Sequence, residues 1–297
     1  MNVPITLIVS MSAALLGTIL RKLYTDRTQG NTAAVFLFNG ICSLIAALIL
    51  FLWGGITSIS PFTLILGVVF GLVTAIQTVT NLKAIEVGPL SYTTVIISCS
   101  TLISAISGAL FFNEHLAIAH IIGIALMLVS FGLAVERKSD EKRASLRWLI
   151  YCLVAFFCTG GIGIMQKVHQ SSSFKEELNA FLVIAFAVSF VFSVLCTLYF
   201  FKREQVSLKK LPFKTALPWL LIVAMLVSGV CCAVNNKLKL YLSGVMDSAV
   251  FFPIVNGGGL VLTTLAAILL FRERLSLKQW IGMLCGIASV IFLCNPF

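Results

Sequence analysis

The stretch FFNEHLAIAHIIGIAL, from Phe111 to Leu126, occurs a second time in altered form as LFRERLSLKQWIGMLC, from Leu270 to Cys285. At an offset of 159 residues, the two copies share a Phe, a Glu, a Leu and an Ile-Gly pair. The first copy contains no Lys or Arg, whereas the second contains Arg272, Arg274 and Lys278. One phrase with two charge patterns indicates one structural unit that is used in two different surroundings.

The rest of the chain is strongly apolar. Of its 297 residues, 59% are hydrophobic and only 11% are charged, whereas a soluble domain carries about 25% charged residues. Ten apolar runs are long enough to cross a bilayer, which takes about 17 to 25 residues. They are, approximately, 3–20, 33–53, 62–82, 90–112, 117–135, 148–165, 180–201, 216–234, 248–271 and 277–294. The predicted fold class is an all-α membrane protein with ten transmembrane helices and short connections.

Positive charge is distributed unevenly among the connections between these spans. Seventeen of the 21 Lys and Arg residues lie after spans 1, 3, 5, 7 and 9. Because cytoplasmic loops are enriched in Lys and Arg, both termini are predicted to lie outside a cell membrane that the chain crosses many times. The net charge of +10 then comes from loops that face anionic lipid, and no nucleic-acid partner is needed to explain it.

The repeated phrase follows span 4 and then span 9, so each half of the chain contains five spans. Because five is odd, the second half enters the membrane in the opposite direction, and the second copy lies on the cytoplasmic side, where Lys and Arg are favoured. This is typical of an inverted-topology repeat. The predicted domains are a first five-helix repeat at 1–137, a cytoplasmic linker at 138–147 and a second five-helix repeat at 148–297.

Two five-span halves, each closing with Glu-x-Leu and then Ile-Gly near the start of a last span, resemble the EamA-type transporters of the drug/metabolite transporter superfamily. The resemblance covers essentially the whole chain. It implies a bundle around a central cavity that is walled by spans 1 to 4 and 6 to 9, with spans 5 and 10 at the periphery. It also implies transport of a small organic solute, such as an amino acid, another metabolite or a drug, with proton-coupled export, uptake and exchange as alternatives.

Polar side chains within the apolar spans are the candidate substrate ligands, because they are costly in a bilayer and usually face a cavity or a partner helix. The candidate cavity-lining residues are Gln77, Asn81, Ser98, Gln166, Asn235, Asn236 and Asn256. Gln77 and Asn81 are four residues apart and therefore share a helix face. Hydrogen bonding between helices is an equal alternative for these two side chains.

Span 9 is the most irregular span, since it contains Pro253 followed by Asn256 and three glycines. Proline cannot donate its amide and clashes with the preceding turn, so a kink is expected. Secondary transporters often place their binding site at a broken helix near the membrane midplane. We therefore predict a hinge at Pro253, Gly257 and Gly258, with Asn256 in the cavity. Close packing of helices at the glycines is the alternative.

Two lysines at the end of span 8, Lys237 and Lys239, run against the distribution of the other positive charges. Both lysines could attract an anionic solute, although a pair of solvated interface lysines is the commoner arrangement.

Four carboxylates lie near span ends. Glu86 and Asp247 are candidates for proton coupling, but an acid at the start of a span, such as Asp247, more often caps the helix and complements its dipole. Glu114 and Glu273 occupy equivalent positions in the repeated phrase, and we expect them to cap the helices of spans 5 and 10.

No cofactor or metal site is predicted, since no Cys or His spacing typical of one occurs. Neither a phosphate-binding G-x-x-x-x-G-K-[ST] loop nor an HExxH motif is present, so the chain is not expected to be an enzyme. A secondary transporter is the leading hypothesis, and a non-transporting membrane scaffold or sensor is the alternative. The expected partners are a small-molecule solute and lipid. The Gly282-x-x-x-Gly286 pattern of span 10 serves either a homodimer or packing within its own bundle.

Overall fold

A computed structural model describes residues 2–27, 32–56, 58–87, 93, 96–114, 117–134, 145–204, 218–271 and 276–294. Regular structure in these ranges is entirely helical, which confirms the all-α class. The helices are α1 (Val3–Arg27), α2 (Thr32–Gly54), α3 (Pro61–Val87), α4 (Thr101–Phe111), α5 (Ile118–Ala134), α6 (Leu146–Ser171), a short 3₁₀ helix (Lys175–Glu177), α7 (Leu178–Glu204), α8 (Pro218–Val245), α9 (Ser248–Phe271) and α10 (Leu277–Cys294). Helices α1 to α10 overlap the predicted spans 1 to 10 in order.

Six of the helices, namely α1, α2, α3, α6, α7 and α8, contain stretches long and apolar enough to cross a membrane. Shorter apolar stretches occur at Ile96–Phe111, Ile118–Leu133 and Leu277–Leu293. Large apolar side chains such as Leu52, Leu110 and Ile118 are mostly exposed, as expected of surfaces that contact lipid chains. The chain is therefore a multi-pass helical membrane protein, while a full set of ten membrane-crossing helices stays a prediction.

The chain divides into two compact units. Unit 1 consists of Met1–Ala75 and His169–Tyr241, and unit 2 consists of Ile76–Val168 and Leu242–Phe297. Each unit takes residues from both predicted halves. The predicted repeat concerns the order and direction of the spans, so this division by packing does not test the boundaries at 137 and 148.

In unit 1, helices α2 and α7 pack side by side in opposite directions. Phe36 near the start of α2 stacks on Phe200 near the end of α7, with ring centroids 5.6 Å apart. Further along α2, Gly40 lies against Ser193, which precedes Phe200 in α7 by about two helical turns. The contacts advance along one helix while they retreat along the other, so the pair is antiparallel.

In unit 2, helices α5 and α10 pack through two reciprocal hydrogen bonds. Ser130 Oγ donates to the carbonyl oxygen of Gly282 at 2.6 Å, and Ser289 Oγ donates to the carbonyl oxygen of Gly123 at 2.6 Å. Gly123 and Gly282 are separated by 159 residues, as are Ser130 and Ser289. Each serine therefore bonds to the glycine that is equivalent to the one in its own helix. This reciprocal pattern requires the two helices to be antiparallel.

Helices α4 and α9, also in unit 2, form a third antiparallel pair. Thr101 at the start of α4 accepts a hydrogen bond from Asn256 inside α9, whereas Gly108 near the end of α4 lies against Ser248 at the start of α9. The three pairs correspond to spans 2 and 7, 4 and 9, and 5 and 10. These are spans that the predicted repeat treats as equivalent.

Each unit has its own apolar core that fixes the helices around the polar residues described next. In unit 1, Tyr24 and Phe38 lie with ring centroids 4.7 Å apart and pack against Leu221 and Met225 of α8. Helices α1, α2 and α8 are thereby held together.

Candidate functional site

Four residues form a polar strip along α8 in unit 1: Cys232, Asn235, Asn236 and Lys239. They are spaced three or four residues apart, so their side chains project from one face of the helix. All four are half-buried, whereas Leu238 and Leu240 on other faces are buried. The polar strip is therefore partly accessible, although the helix as a whole is apolar.

Helices α1 and α2 add polar groups to this strip. Ser10 Oγ donates to Asn235 Oδ1 at 3.0 Å, and Arg21 Nη2 donates to Asn39 Oδ1 at 2.7 Å. Ser10 and Arg21 are separated by about three helical turns and therefore lie on one side of α1. We call the seven residues Ser10, Arg21, Asn39, Cys232, Asn235, Asn236 and Lys239 the α8 polar cluster.

The α8 polar cluster carries positive charge. It contains two basic residues, Arg21 of α1, which is exposed, and Lys239 of α8, which is half-buried. Among the described residues, no carboxylate forms an ion pair with Arg21 or Lys239. Since a guanidinium is always protonated in proteins, the cluster presents cationic, amide and hydroxyl groups without an internal counter-ion from the described part of the chain.

The predicted residue Lys237 points away from this cluster. Its Nζ lies 4.2 Å from the centroid of the Trp53 ring, a distance that allows a cation–π interaction. Lys239, two residues further along α8, is the lysine on the polar strip. Of the predicted residues at this end of α8, Asn235 and Asn236 thus belong to the cluster and Lys237 does not.

A second polar contact, in unit 2, involves the predicted residue Asn256. Its Nδ2 donates to Thr101 Oγ1 at 2.8 Å. Asn256 is exposed, although the residues from Phe251 to Val255 and both Gly257 and Gly258 are buried. Asn256 is therefore an accessible polar side chain in an otherwise buried stretch of helix, and it is held by Thr101 of α4.

The backbone around Thr101 is irregular. A short helical segment ends at Ser98, and Cys99 and Ser100 form a turn before α4 begins. The amides of Ser100, Leu102 and Ile103 each donate to the carbonyl three residues earlier, at 3.0 Å. The predicted residue Ser98 is therefore half-buried immediately before a break in span 4, and Asn256 bonds to the first helical residue after that break.

Helix α9 is continuous from Ser248 to Phe271 and contains Pro253 within it. A side chain at Gly257 would overlap the thioether of Met127 in α5, so this glycine permits close helix packing. That is the alternative role considered for it from the sequence. The hinge at Pro253, Gly257 and Gly258 stays a prediction.

The other predicted cavity residues lie elsewhere in unit 2. Gln77 and Asn81 are half-buried on α3, and Gln166 is buried on α6. Among the described residues, none of these three side chains hydrogen-bonds to Asn256 or Thr101. The side chain of Glu86 is outside the described part of the structure.

Glu114 and Lys167 form a buried ion pair that the sequence did not predict. Lys167 Nζ lies 2.7 Å from Glu114 Oε1, and the two side chains are only 9% and 6% exposed. Glu114 Oε2 also accepts a hydrogen bond from the backbone amide of Ser248 at 2.6 Å, and Lys167 donates to the carbonyl of Met246 at 2.8 Å. Both members of the ion pair therefore also hydrogen-bond to the backbone of the turn between α8 and α9.

These contacts change the role expected of Glu114. Glu114 caps α9 rather than the α5 helix that follows it in sequence, because the turn after α4 brings it to the start of α9. Asp247 is exposed, and its backbone carbonyl accepts from the amides of Val250 and Phe251. Glu273 is not among the described residues.

Sequence reasoning missed Arg21 and Asn39, whereas it named Lys239, together with Lys237, as a lysine that could attract an anionic solute. The apolar stretch of span 1 ends before Arg21 and so predicts a loop there, but α1 continues to Arg27. The available signal for Asn39 was that it is the single amide in the apolar span 2. In the described ranges, no group of three or more His, Cys, Asp or Glu residues is arranged to hold a metal ion.

Comparison with known proteins gives a family match and likenesses to solved structures. The family model described as "Sugar transport protein" matches residues 11–294. A solved structure titled "Crystal structure of protein" is similar over 97% of this chain and 95% of its own, with a TM-score of 0.72 and 14% sequence identity. At that identity the likeness shows a shared fold alone. No curated protein matches the sequence significantly.

Proposed function

Because the chain belongs to the sugar transport protein family, a membrane transporter family similar to the drug/metabolite type, we propose that it is a secondary active transporter. In this proposal it moves a small polar organic solute across the cell membrane by alternating access. Membership of the family shows a membrane transporter of small solutes. The proposal adds that the chain is of the EamA type and that it couples solute movement to a proton gradient.

The observation that carries the proposal is the α8 polar cluster. Seven polar side chains from α1, α2 and α8 come together in a unit whose helices are otherwise apolar. Polar groups within membrane-spanning helices are costly unless they face water, a partner group or a substrate. Amide, hydroxyl and guanidinium groups together offer the donors and acceptors that the hydroxyl groups of a sugar require. A polyhydroxylated solute is therefore the first class to test, ahead of amino acids and drugs.

The three antiparallel helix pairs support the alternating-access part of the proposal. In an inverted repeat, a pseudo-two-fold axis in the membrane plane relates equivalent helices, and helices close to that axis pack against their own counterparts in opposite directions. The pairs α2–α7, α4–α9 and α5–α10 have this arrangement. Two halves of similar structure but opposite direction can interconvert outward-open and inward-open states when each half adopts the conformation of the other.

Proton-coupled export is the form of transport we propose to test first. Asp247 is the exposed carboxylate at the α8–α9 turn, and Glu86 is the second candidate for proton coupling. Purified protein in liposomes with an internal pH-sensitive dye would report proton movement when solute is added. Asp247→Asn and Glu86→Gln, compared with Glu176→Gln at an exposed surface position, would identify the coupling carboxylate.

Solute counterflow in proteoliposomes tests the function itself. Liposomes preloaded with unlabelled hexose should accumulate labelled hexose in the presence of the protein, and Asn235→Leu should abolish the accumulation. Lys237→Gln, a change on the same helix outside the cluster, is the matched control and should retain it. If no hexose, amino acid or cationic drug exchanges through well-folded protein, the scaffold or sensor alternative is favoured.

A further inference from the structure

We propose that the ion pair of Glu114 and Lys167 is a latch, which closes one end of the solute path in unit 2 and separates once in each transport cycle. The latch consists of these two side chains and the backbone groups of Met246 and Ser248 to which they bond. The inference rests on the proposed function, because it assigns a step of alternating access to residues that the proposed function does not use.

The latch joins the ends of four helices. Glu114 follows α4, Lys167 lies near the end of α6, Met246 follows α8 and Ser248 begins α9. Besides the contacts given above, Ser248 Oγ donates to Glu114 Oε1 at 3.2 Å. Hinge motions are absorbed mainly at the ends of elements and in the turns between them. The four ends can therefore separate at the latch without a break inside any helix.

The backbone after α4 fixes the position of the Glu114 carboxylate. Asn113 adopts the left-handed conformation with a φ of 53°, and the amide of Glu114 donates to the carbonyl of Gly108 at 3.2 Å. A left-handed residue just after a helix is a common way to end it, and asparagine tolerates this conformation. The ring centroid of Phe112, in the same turn, lies 6.0 Å from Lys167 Nζ. Two residues of one defined turn therefore hold the lysine.

Helices α4, α6 and α9 pack closely next to the latch. A Cβ atom at Gly163 of α6 would lie 2.8 Å from Ser104 Cβ and 3.1 Å from Phe252 Cε1. A Cβ atom at Gly108 of α4 would lie 2.8 Å from Ser248 Cβ. Where even a methyl group has no room, a solute cannot pass between the helices. This end of the three helices is therefore closed in the structure.

The other end of the α4–α9 pair carries an accessible polar side chain. Thr101 precedes Gly108 by seven residues, or about 10 Å along α4, and it bonds to the exposed Asn256. Polar side chains in membrane-spanning helices usually face a cavity or a partner group. In alternating access, each end of the solute path opens in turn. The end closed by the latch has to open in the other state, which requires Glu114 and Lys167 to separate.

An ion pair suits a contact that has to form and separate. Two buried charges stabilise a protein little more than apolar residues of similar size, because both lose their hydration. When the pair separates and water enters, both charges regain that hydration, whereas two apolar groups would lose by the same change. A buried charge without its partner is costly. The pair therefore favours two states, one paired and dry and the other separated and hydrated.

The reactivity of a buried thiol tests the latch without reference to transport. In a background with the nine cysteines replaced, Ser248→Cys places a thiol at the latch and Ser289→Cys places one between α5 and α10. Both positions are at most 1% exposed. We expect Glu114→Gln, which leaves Lys167 unpaired in the closed state, to raise the rate of maleimide labelling at position 248 by about tenfold or more, because a buried thiol reacts only from an open state.

The control position and a second charge change separate local opening from unfolding. Position 289 should stay unreactive in Glu114→Gln, and the addition of Lys167→Met should lower the rate at position 248 again, because no unpaired charge is left. An unchanged rate at position 248, or an equal rise at both positions, would overturn the inference. If Glu114→Gln does not fold, Lys167→Met leaves Glu114 unpaired and provides the same comparison.

A reversible cross-link tests whether the latch has to open during transport. In the same background, Glu114→Cys/Lys167→Cys is joined by a bifunctional methanethiosulfonate reagent. The cross-link should stop the counterflow of labelled hexose and a reductant should restore it, whereas the single variant Lys167→Cys treated with the same reagent is the control and should be unaffected by it. Counterflow through fully cross-linked protein would overturn the inference. If no hexose moves before cross-linking, hexose transport is rejected, and the labelling at position 248 still decides the latch.

Discussion

At the scale of single residues, two glycines on α5 differ sharply in their surroundings. A Cβ atom at Gly123 would lie 2.7 Å from Leu293 Cγ and 3.2 Å from the carbonyl oxygen of Ser289, whereas a Cβ atom at Gly132 would meet no atom within 4 Å. Leu293 is 1% exposed, so it has little room to move away. The close approach of α5 and α10 therefore depends on Gly123.

We expect Gly123→Ala to destabilise the protein by about 1 to 3 kcal/mol, the usual cost of overpacking. Gly132→Ala should leave the stability unchanged or raise it by up to about 1 kcal/mol, since alanine favours a helix over glycine. Melting temperatures of the two variants in detergent provide the measurement. Equal melting temperatures would show that α5 and α10 are not packed at Gly123.

Asn256 allows a prediction about activity at the same scale. Because its side chain is exposed and holds one hydrogen bond to Thr101, Asn256→Ala should change the melting temperature little but reduce counterflow at least tenfold. Thr101→Val removes the partner hydroxyl, and a smaller loss of counterflow is expected. Thr159→Ala is a control, because its hydroxyl bonds to the Ala155 carbonyl of its own helix. Normal transport by Asn256→Ala would remove Asn256 from the solute path.

At the scale of the helical elements, the sequence allowed most of the structure to be predicted but not the contacts between elements. Apolar runs identify α2 to within one residue at each end, because a membrane span is defined by its own length and hydrophobicity. Asn235 and Asn236 were found as amides at the end of such a run. The break before α4 and the contact of Lys237 with Trp53 were not predicted from the sequence, because both depend on neighbouring helices.

The capping of α9 by Glu114 is a second contact between elements that the sequence did not predict. Glu114 is closest in sequence to the start of α5, yet its carboxylate accepts from the amide of Ser248 and pairs with Lys167. An unpaired amide at the start of a buried helix is costly, and an anion there is favoured by the helix dipole. Three elements that are far apart in sequence therefore meet at one carboxylate.

We expect Glu114→Gln to destabilise the protein by about 3 to 5 kcal/mol, because it leaves Lys167 buried without its counter-ion. The double variant Glu114→Gln/Lys167→Met removes both charges and should be less destabilised than the sum of its two single variants. Melting temperatures of the four proteins complete this double-mutant cycle, and Glu176→Gln at an exposed position serves as the control. Additive effects would mean that the ion pair contributes no coupling energy.

At the scale of the whole molecule, the repeated phrase predicts that the loops after spans 4 and 9 lie on opposite sides of the membrane. Ala117 and Ser276 occupy equivalent positions in these two loops, 159 residues apart, and both are half-buried and small. They are therefore a matched pair for measuring which side of the membrane each copy occupies.

In a background with the nine cysteines replaced, we expect a cysteine at position 117 to react with a membrane-impermeant maleimide on intact cells. A cysteine at position 276 should react only after permeabilisation, because Arg272, Arg274 and Lys278 favour the cytoplasmic side for its loop. The opposite result at both positions would be consistent with the inverted repeat but would place both termini on the cytoplasmic side. Labelling of both from the same side would reject the inverted repeat. The antiparallel exchange of hydrogen bonds between Gly123, Ser289, Ser130 and Gly282 would then be a local packing feature without a relation between the two halves.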